Sequence, residues 1–361
     1  LAAGTLRVLG IREGTAEAIG AAVARRDAQE LEDALAEARM CGAYARSAAE
    51  WAAHPQGRLL AGLPGVEVIR IGDAPPQPLP PAARPLSGLR VLDMTRVLAG
   101  PTAARTLAEQ GADVLNISSP ALPSMRTFVI DTGHGKRTAS LDLDQPSDHA
   151  RLLALADHAD VLVQGYRSGA LAQRGLAPEA IAARRPGIVY VSVNCYGHEG
   201  PWAGRPGWDQ LAATATGLAM CQGSPQQPAL LPAAACDYVT GYLAAFGAMV
   251  ALARRAQEGG SWHVRASLSQ TALWFQQQPG IEPAAAGAVP ADWLQESTGG
   301  FGRVRHLRPV ARMDQTPPCW SLPVEPELRY RRREHYVEHF GELLARAVAD
   351  RSPPGAVALF L

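Results

Sequence analysis

One acid stands alone in the run "LPAAACDYVTGYLAAFGAMVALARR", which begins at Leu231. Small or apolar residues lead to Asp237, and no further charge follows until Arg254. A carboxylate so placed has two uses. As the N-cap of an apolar helix it would accept a hydrogen bond from an orphan N–H of the first turn, and the local sequence by itself favours that reading. The alternative is a carboxylate kept for function, for which the rest of the chain has to argue. Cys236 beside it is read as packing, because adjacent side chains on a helix or strand diverge.

The elements around Asp237 decide between the two. From Leu89 onward "LRVLDMT", "ADVLNIS", "TASLDL", "DVLVQGY" and "IVYVSVNCYG" read as buried strands. Helical stretches such as "AGPTAARTLAEQG", "QPSDHARLLALADHA" and "APEAIAARRPG" fall between them. Strand and helix in alternation predict an α/β, doubly wound, Rossmann-like parallel sheet. Ligands of such sheets lie at the carboxyl ends of the strands, near the switch point. The first strand–helix turn, "RVLAGP", lacks the G-x-G-x-x-G dinucleotide fingerprint, and no acid closes the second strand, where Ser118 and Ser119 stand. This disfavours a nicotinamide enzyme.

Four regions are expected. Residues 1–72 form a helical and strand segment, and 73–88 a proline-rich extended linker. Residues 89–276 form the Rossmann-like domain. Residues 277–361 form an irregular segment with short strands in "GRVRHLRPVARMDQTPPCWSLP" and a final helix in "RYRRREHYVEHFGELLARAVADR".

Basic and acidic residues balance at 34 each, which gives no reason to expect nucleic acid or an anionic membrane as partner. The five cysteines are scattered without metal-ligand or redox spacing, so reduced thiols and no metal are expected. The opening "LAAGTLRVLG" has neither a basic stretch nor a long apolar one, and the cytoplasm is the expected location. The apolar run after Asp237 fits a packed helix rich in Gly and Ala better than a membrane span.

The collinear runs "PLSGLRVLDMTRVLAGPTAARTLAEQGADVL", "GKRTASLDL", "ADVLVQGYRSGALAQRGL", "IVYVSVNCYGHEGPWAGRPGWDQLAATATGLA" and "AACDYVTGYLAAFGAMVALARR" resemble the N-terminal half of the family III CoA-transferases. These are the CaiB/BaiF-type proteins, among them formyl-CoA transferase and the alpha-methylacyl-CoA racemases. Residues 30–85 resemble the C-terminal end of the same family, placed before its N-terminal half, so the chain reads as a tandem junction or a rearranged copy.

The resemblance implies that Asp237 is the nucleophile, that acyl-CoA and a small carboxylic acid are the substrates, and that the chain forms a homodimer. It implies an acyl–aspartyl anhydride followed by an aspartyl-CoA thioester. The positive end of the helix would keep Asp237 ionised, and Gly241 would leave room for a pantetheine arm. Coenzyme A would be contacted by Leu98 and Ala99 in the first turn and by Leu141, Asp142, Leu143 and Asp144 at a strand end. Gly165, Tyr166, Arg167 and Arg174 would line its phosphates and pantetheine. Pro206, Gly207, Trp208 and Asp209 match the loop before the catalytic segment. With Ser118-Ser119 in place of the family's usual residues, Arg167, Arg174, Lys136 and Arg137 remain as cations for the phosphates. Racemases of the family use "GHD"; this chain has "GWD", and indole cannot abstract a proton. A CoA-binding lobe that is half-active or non-catalytic is the alternative.

Overall fold

The computed structural model describes residues 2–122, 125–278, 289–326 and 357–359. Three helices open the chain, α1 (Ala2–Leu9), α2 (Ala16–Val23) and α3 (Ala28–Glu37). They are followed by α4 (Ala48–Ala53), α5 (Pro55–Ala61) and strand β1 (Val66–Gly72). Ser47 and Glu50 form a reciprocal capping box on α4, and His54 caps α5 ahead of Pro55, so one sequence stretch makes two short helices. After the linker come β2 (Arg90–Met94), α6 (Ala99–Glu109), β3 (Asp113–Ser118), α7 (Arg126–Thr132), β4 (Lys136–Ser140), α8 (Pro146–Ala156) and β5 (Val161–Gln164). Then follow α9 (Pro178–Arg184), β6 (Val189–Asn194), α10 (Asp209–Thr216), α11 (Leu218–Gln222), α12 (Ala235–Glu258), β7 (Ser261–Ser267) and α13 (Leu268–Gln276).

The seven strands form one sheet in the order β1-β7-β6-β5-β2-β3-β4. All neighbours are parallel except β1, which pairs antiparallel with β7 at the edge. The chain runs from β2 outward through β3 and β4, then returns to lay β5 on the other side of β2. The strand order therefore reverses between β2 and β5, and the crevice above their carboxyl ends is the place for a ligand. Strand residues alternate between two cores. Val91, Val114, Val163, Val191 and Val264 face α6 and α12, and Leu92, Leu115, Leu162 and Tyr190 face α8 and α9.

The segment ahead of the linker shares this sheet and core. Trp51 and Leu60 lie in the same apolar cluster as Val191 and Ala244. Gln56, fully buried, donates from Nε2 to the carbonyls of Tyr196 and Glu199 (both 2.8 Å) and accepts from the Trp202 N–H (2.9 Å). One side chain thus ties three backbone groups of the loop that follows β6.

Three expectations change in detail. Helix α7 was not signalled, because its seven residues carry neither a side-chain cap nor a proline in the first turn. The fourth strand starts and ends earlier than "TASLDL" suggests. At Asp142 the chain turns, its N–H held by the Asp148 carboxylate at 3.0 Å, so Asp142, Leu143 and Asp144 lie past the strand. The hairpin after residue 289 is β8 (Leu294–Gly299) with β9 (Gly302–Leu307), one strand earlier than the run beginning at Gly302 suggests. A short strand, Val357–Leu359, runs parallel to β9. The helix expected from Arg329 to Arg351 lies outside the described residues.

Candidate active site

Asp237 sits in the first turn of α12 but does not cap it. The N-cap is Ala234, with no side-chain capping bond. The cap comes from elsewhere in the chain: Asp209, the first residue of α10, accepts the N–H of Asp237 at 3.0 Å and also that of Cys236. Two orphan donors of α12 are thus satisfied from outside the helix. The carboxylate of Asp237 is left for other work, and the capping explanation of its presence falls away.

That carboxylate is buried, with 8% of the residue exposed. It accepts a backbone hydrogen bond from Ala99, the first residue of α6. Two helix amino ends therefore converge on it. Their field does not decide its proton affinity. Burial, followed by the neighbouring Asp209 charge, raises the pKa from 3.8 to about 7, and the Ala99 bond only partly opposes this. The expectation that the helix end alone keeps Asp237 ionised is corrected: desolvation and a like charge outweigh a partial positive charge. Burial also raises Asp209, with its two N–H bonds opposing.

The close approach of α6 and α12 is made by Gly241. A Cβ there would collide with the Ala99 carbonyl oxygen and with Thr102. Gly241 therefore leaves room for a helix and not for a pantetheine arm. The same close crossing sets the Ala99 N–H against Asp237, one turn away.

The turn between β2 and α6 is strained. Val97 has φ +70°, a left-handed conformation that a β-branched side chain rarely adopts. Leu98 beside it is buried, and Arg96 and Val97 are exposed at the rim of a cleft lined also by Asn116, Phe128, Lys136 and Thr138. On the other side of the switch point Gly165, Tyr166 and Arg167 follow β5. Gln164 holds the Tyr166 N–H at 2.9 Å, and Arg96 lies near the Tyr166 ring. A second hollow opens beside them, lined by Tyr166, Arg167, Ser192, His198, His263 and Arg265.

Asp209 stands at the end of "RPGWD". Gly207 fits against Cys195 and the Tyr196 ring, where a Cβ would clash, and Trp208 is 41% exposed. Arg205, next to Pro206, is bound to Asp33 at 2.6 Å and stacks on Trp202. Asp33 belongs to α3, so the segment ahead of the linker holds the loop that delivers Asp209. This dependence has no local sequence signal.

The four cations expected to meet phosphate differ in their surroundings. Lys136 borders the cleft but is only 3% exposed, its ammonium taken up by Asp93 (2.8 Å) and the Pro101 carbonyl (2.7 Å). An ammonium held by two partners beneath α6 is occupied within the protein, unlike the open surface cation the sequence suggests. Arg137 pairs with Asp113 (2.6 Å) and Arg174 with Asp144 (2.5 Å). Arg167 is exposed and donates to the Arg39 carbonyl at 3.4 Å. Among the described residues no group of three or more His, Cys, Asp or Glu could hold a metal ion.

Residues 86–302 match the model of CoA-transferase family III. The chain belongs to that family. An acyl-CoA transferase of Gibberella moniliformis is 38% identical over 276 residues, covering 70% of this chain and 47% of that protein. The acetyl-coenzyme A transferase nodX of Hypoxylon pulicicidum is 35% identical, covering 76% of this chain and 51% of its own length. The crystal structure of Rv3272 from M. tuberculosis superimposes with a TM-score of 0.52 at 31% identity, over 54% of this chain and 56% of that one. The chain thus spans about half the length of the relatives it matches, and its likeness to the fungal proteins extends beyond residues 86–302.

Proposed function

We propose that this chain carries the nucleophilic centre of a CoA-transferase, with Asp237 moving CoA between an acyl-CoA and a carboxylic acid. The observation that supports this most is the buried carboxylate of Asp237, excused from capping by Asp209 and facing the Ala99 N–H at the start of α6. The names of the similar proteins point to the same class.

In the proposed scheme the ionised Asp237 attacks the thioester carbonyl. The C–S bond breaks, CoA leaves as thiolate, and an acyl–aspartyl anhydride remains. The thiolate then attacks the aspartyl carbonyl, releasing the donor acid as carboxylate and leaving an aspartyl-CoA thioester. The acceptor carboxylate attacks that thioester to give a new anhydride and thiolate. Attack of the thiolate on the acyl carbonyl forms the new acyl-CoA and frees Asp237. No proton is consumed over the cycle, but Asp237 must begin it ionised, so its pKa of about 7 sets the acid limb of activity. Burial strips water from the carboxylate and from the anhydride, which favours transfer over hydrolysis. Exposed Trp208 stands where a racemase of the family would carry a base, so exchange of an alpha proton is not expected.

The test is mass spectrometry after incubation with acetyl-CoA, and separately a long-chain acyl-CoA, in the presence of hydroxylamine. Hydroxylamine displaces CoA from the aspartyl thioester and leaves a hydroxamate on Asp237. Modification at that residue, absent in Asp237→Asn, supports the reading. Binding of acyl-CoA without any modification would support a CoA-binding lobe instead.

A further inference from the structure

Lys136 and Asp93 form a buried ion pair that the transfer scheme does not use. Lys136 lies at the start of β4 and Asp93 near the end of β2, with 3% and 0% of their side chains exposed. A pair so deeply buried is weak evidence for stability, because removing both ions from water costs about as much as their attraction returns. Its contacts suggest a different purpose. One oxygen of Asp93 takes the Thr95 N–H at 3.0 Å and the Thr95 hydroxyl; the other takes the Lys136 ammonium. The same ammonium holds the Pro101 carbonyl at 2.7 Å. Asn116 donates to the Asp93 carbonyl at 3.2 Å. Both feet of the β2–α6 turn are therefore tied to one lysine.

Between those feet lie Val97, in its strained conformation, and Ala99, whose N–H meets Asp237. A non-glycine residue at positive φ is strained and persists only where its surroundings over-determine it. Free of its ties, the turn would relax, and Ala99 is the residue that would move. We propose that Lys136 is a positioning residue: it clamps the strained turn so that the Ala99 N–H stays on the Asp237 carboxylate. The inference rests on the reading of Asp237 as nucleophile, but its test does not require turnover. The groups that face Asp237 are the Asp209 carboxylate from α10, the Ala99 N–H from α6, and the thiols of Cys195 and Cys236. Of these only the Ala99 N–H favours the ionised form.

The experiment is a carboxyl-carbon NMR titration of Asp237, its signal assigned by its loss in Asp237→Asn. It compares the wild-type chain with Lys136→Met, Lys136→Arg and the double variant Asp93→Asn/Lys136→Met. The double variant removes both charges and so avoids a lone buried carboxylate. The Asp237 midpoint is expected to rise by about one pH unit in both Met variants, the equivalent of losing a hydrogen bond to a charged group. Lys136→Arg keeps a cationic donor and is expected to hold the wild-type midpoint. An unchanged midpoint in a folded Met variant would overturn the inference. So would failure of both Met variants to fold by circular dichroism, which would assign the pair to stability alone. A shifted midpoint without any acyl adduct on wild-type Asp237 would leave the clamp standing and refute the nucleophile.

Discussion

Replacing Asp237 by Asn separates a buried, desolvated nucleophile from a helix cap by thermodynamics alone. In the folded chain Asp237 ionises near 7, against 3.8 for the unconstrained side chain. The folded state therefore holds the proton more tightly than the unfolded one. Between these values stability falls as pH rises, and the full penalty is present only above the folded pKa. At 1.36 kcal/mol per pH unit the penalty is at most about 4 kcal/mol, and water penetration and relaxation reduce it. Asn cannot ionise, yet its amide oxygen still accepts the Ala99 N–H. Asp237→Asn should then match the wild type in stability near the acid end and exceed it by about 2–4 kcal/mol at mildly alkaline pH. Acyl transfer should vanish throughout. The assay is urea unfolding of both proteins at a series of pH values. A helix cap predicts the opposite sign, since a capping carboxylate is held ionised and the wild type would gain on Asn as pH rises through the carboxylate range. Identical unfolding midpoints at every pH would refute the argument from burial.

Three other outcomes follow from the same geometry. Asp209→Asn keeps an acceptor for the Cys236 and Asp237 N–H groups but removes a charge that raises Asp237. The acid limb of activity should move to lower pH, and Asp209→Ala should instead cost about 1–3 kcal/mol of stability in urea unfolding. Gly241→Ala forces a methyl against the Ala99 carbonyl and Thr102, so it should destabilise by about 1–3 kcal/mol and reduce acyl transfer through displacement of Ala99. Phe246 on α12 and Trp274 on α13 are exposed at 59% and 44%, apolar area that a partner would cover, and light scattering at micromolar concentration should show a dimer. A stable monomer would count against that expectation.

The parallel sheet was legible because its strands read as continuous apolar runs separated by helices with clear starts, as Pro146 and Pro178 at the first turns of α8 and α9 show. Asp237 was legible as an isolated charge. Its freedom from capping was not, because the cap comes from Asp209, 28 residues earlier, and no local periodicity links the two. Lys136 looked like a surface cation for the same reason. A lysine opening a short strand is usually solvated, and only the partner Asp93, 43 residues away, reveals that it lies beneath a helix. Gly241 misled in the opposite direction. A glycine beside a candidate nucleophile suggests room for a ligand, but the missing Cβ is filled by α6.

These cases share one cause, and it bears on how the chain is divided. The site is assembled from elements whose register is set through the core and not along the sequence. The loop that carries Asp209 is fixed by Gln56 of α5 and, through Arg205, by Asp33 of α3. Both lie ahead of the proline-rich linker. Strand β1 from that segment closes the edge of the sheet beside β7, whose neighbour β6 leads into the same loop. The N-terminal segment thus supplies the scaffold of the loop from which Asp209 caps α12. Asp237 owes its freedom to that cap, so the residue proposed to do the chemistry depends on residues that precede the family match at 86–302.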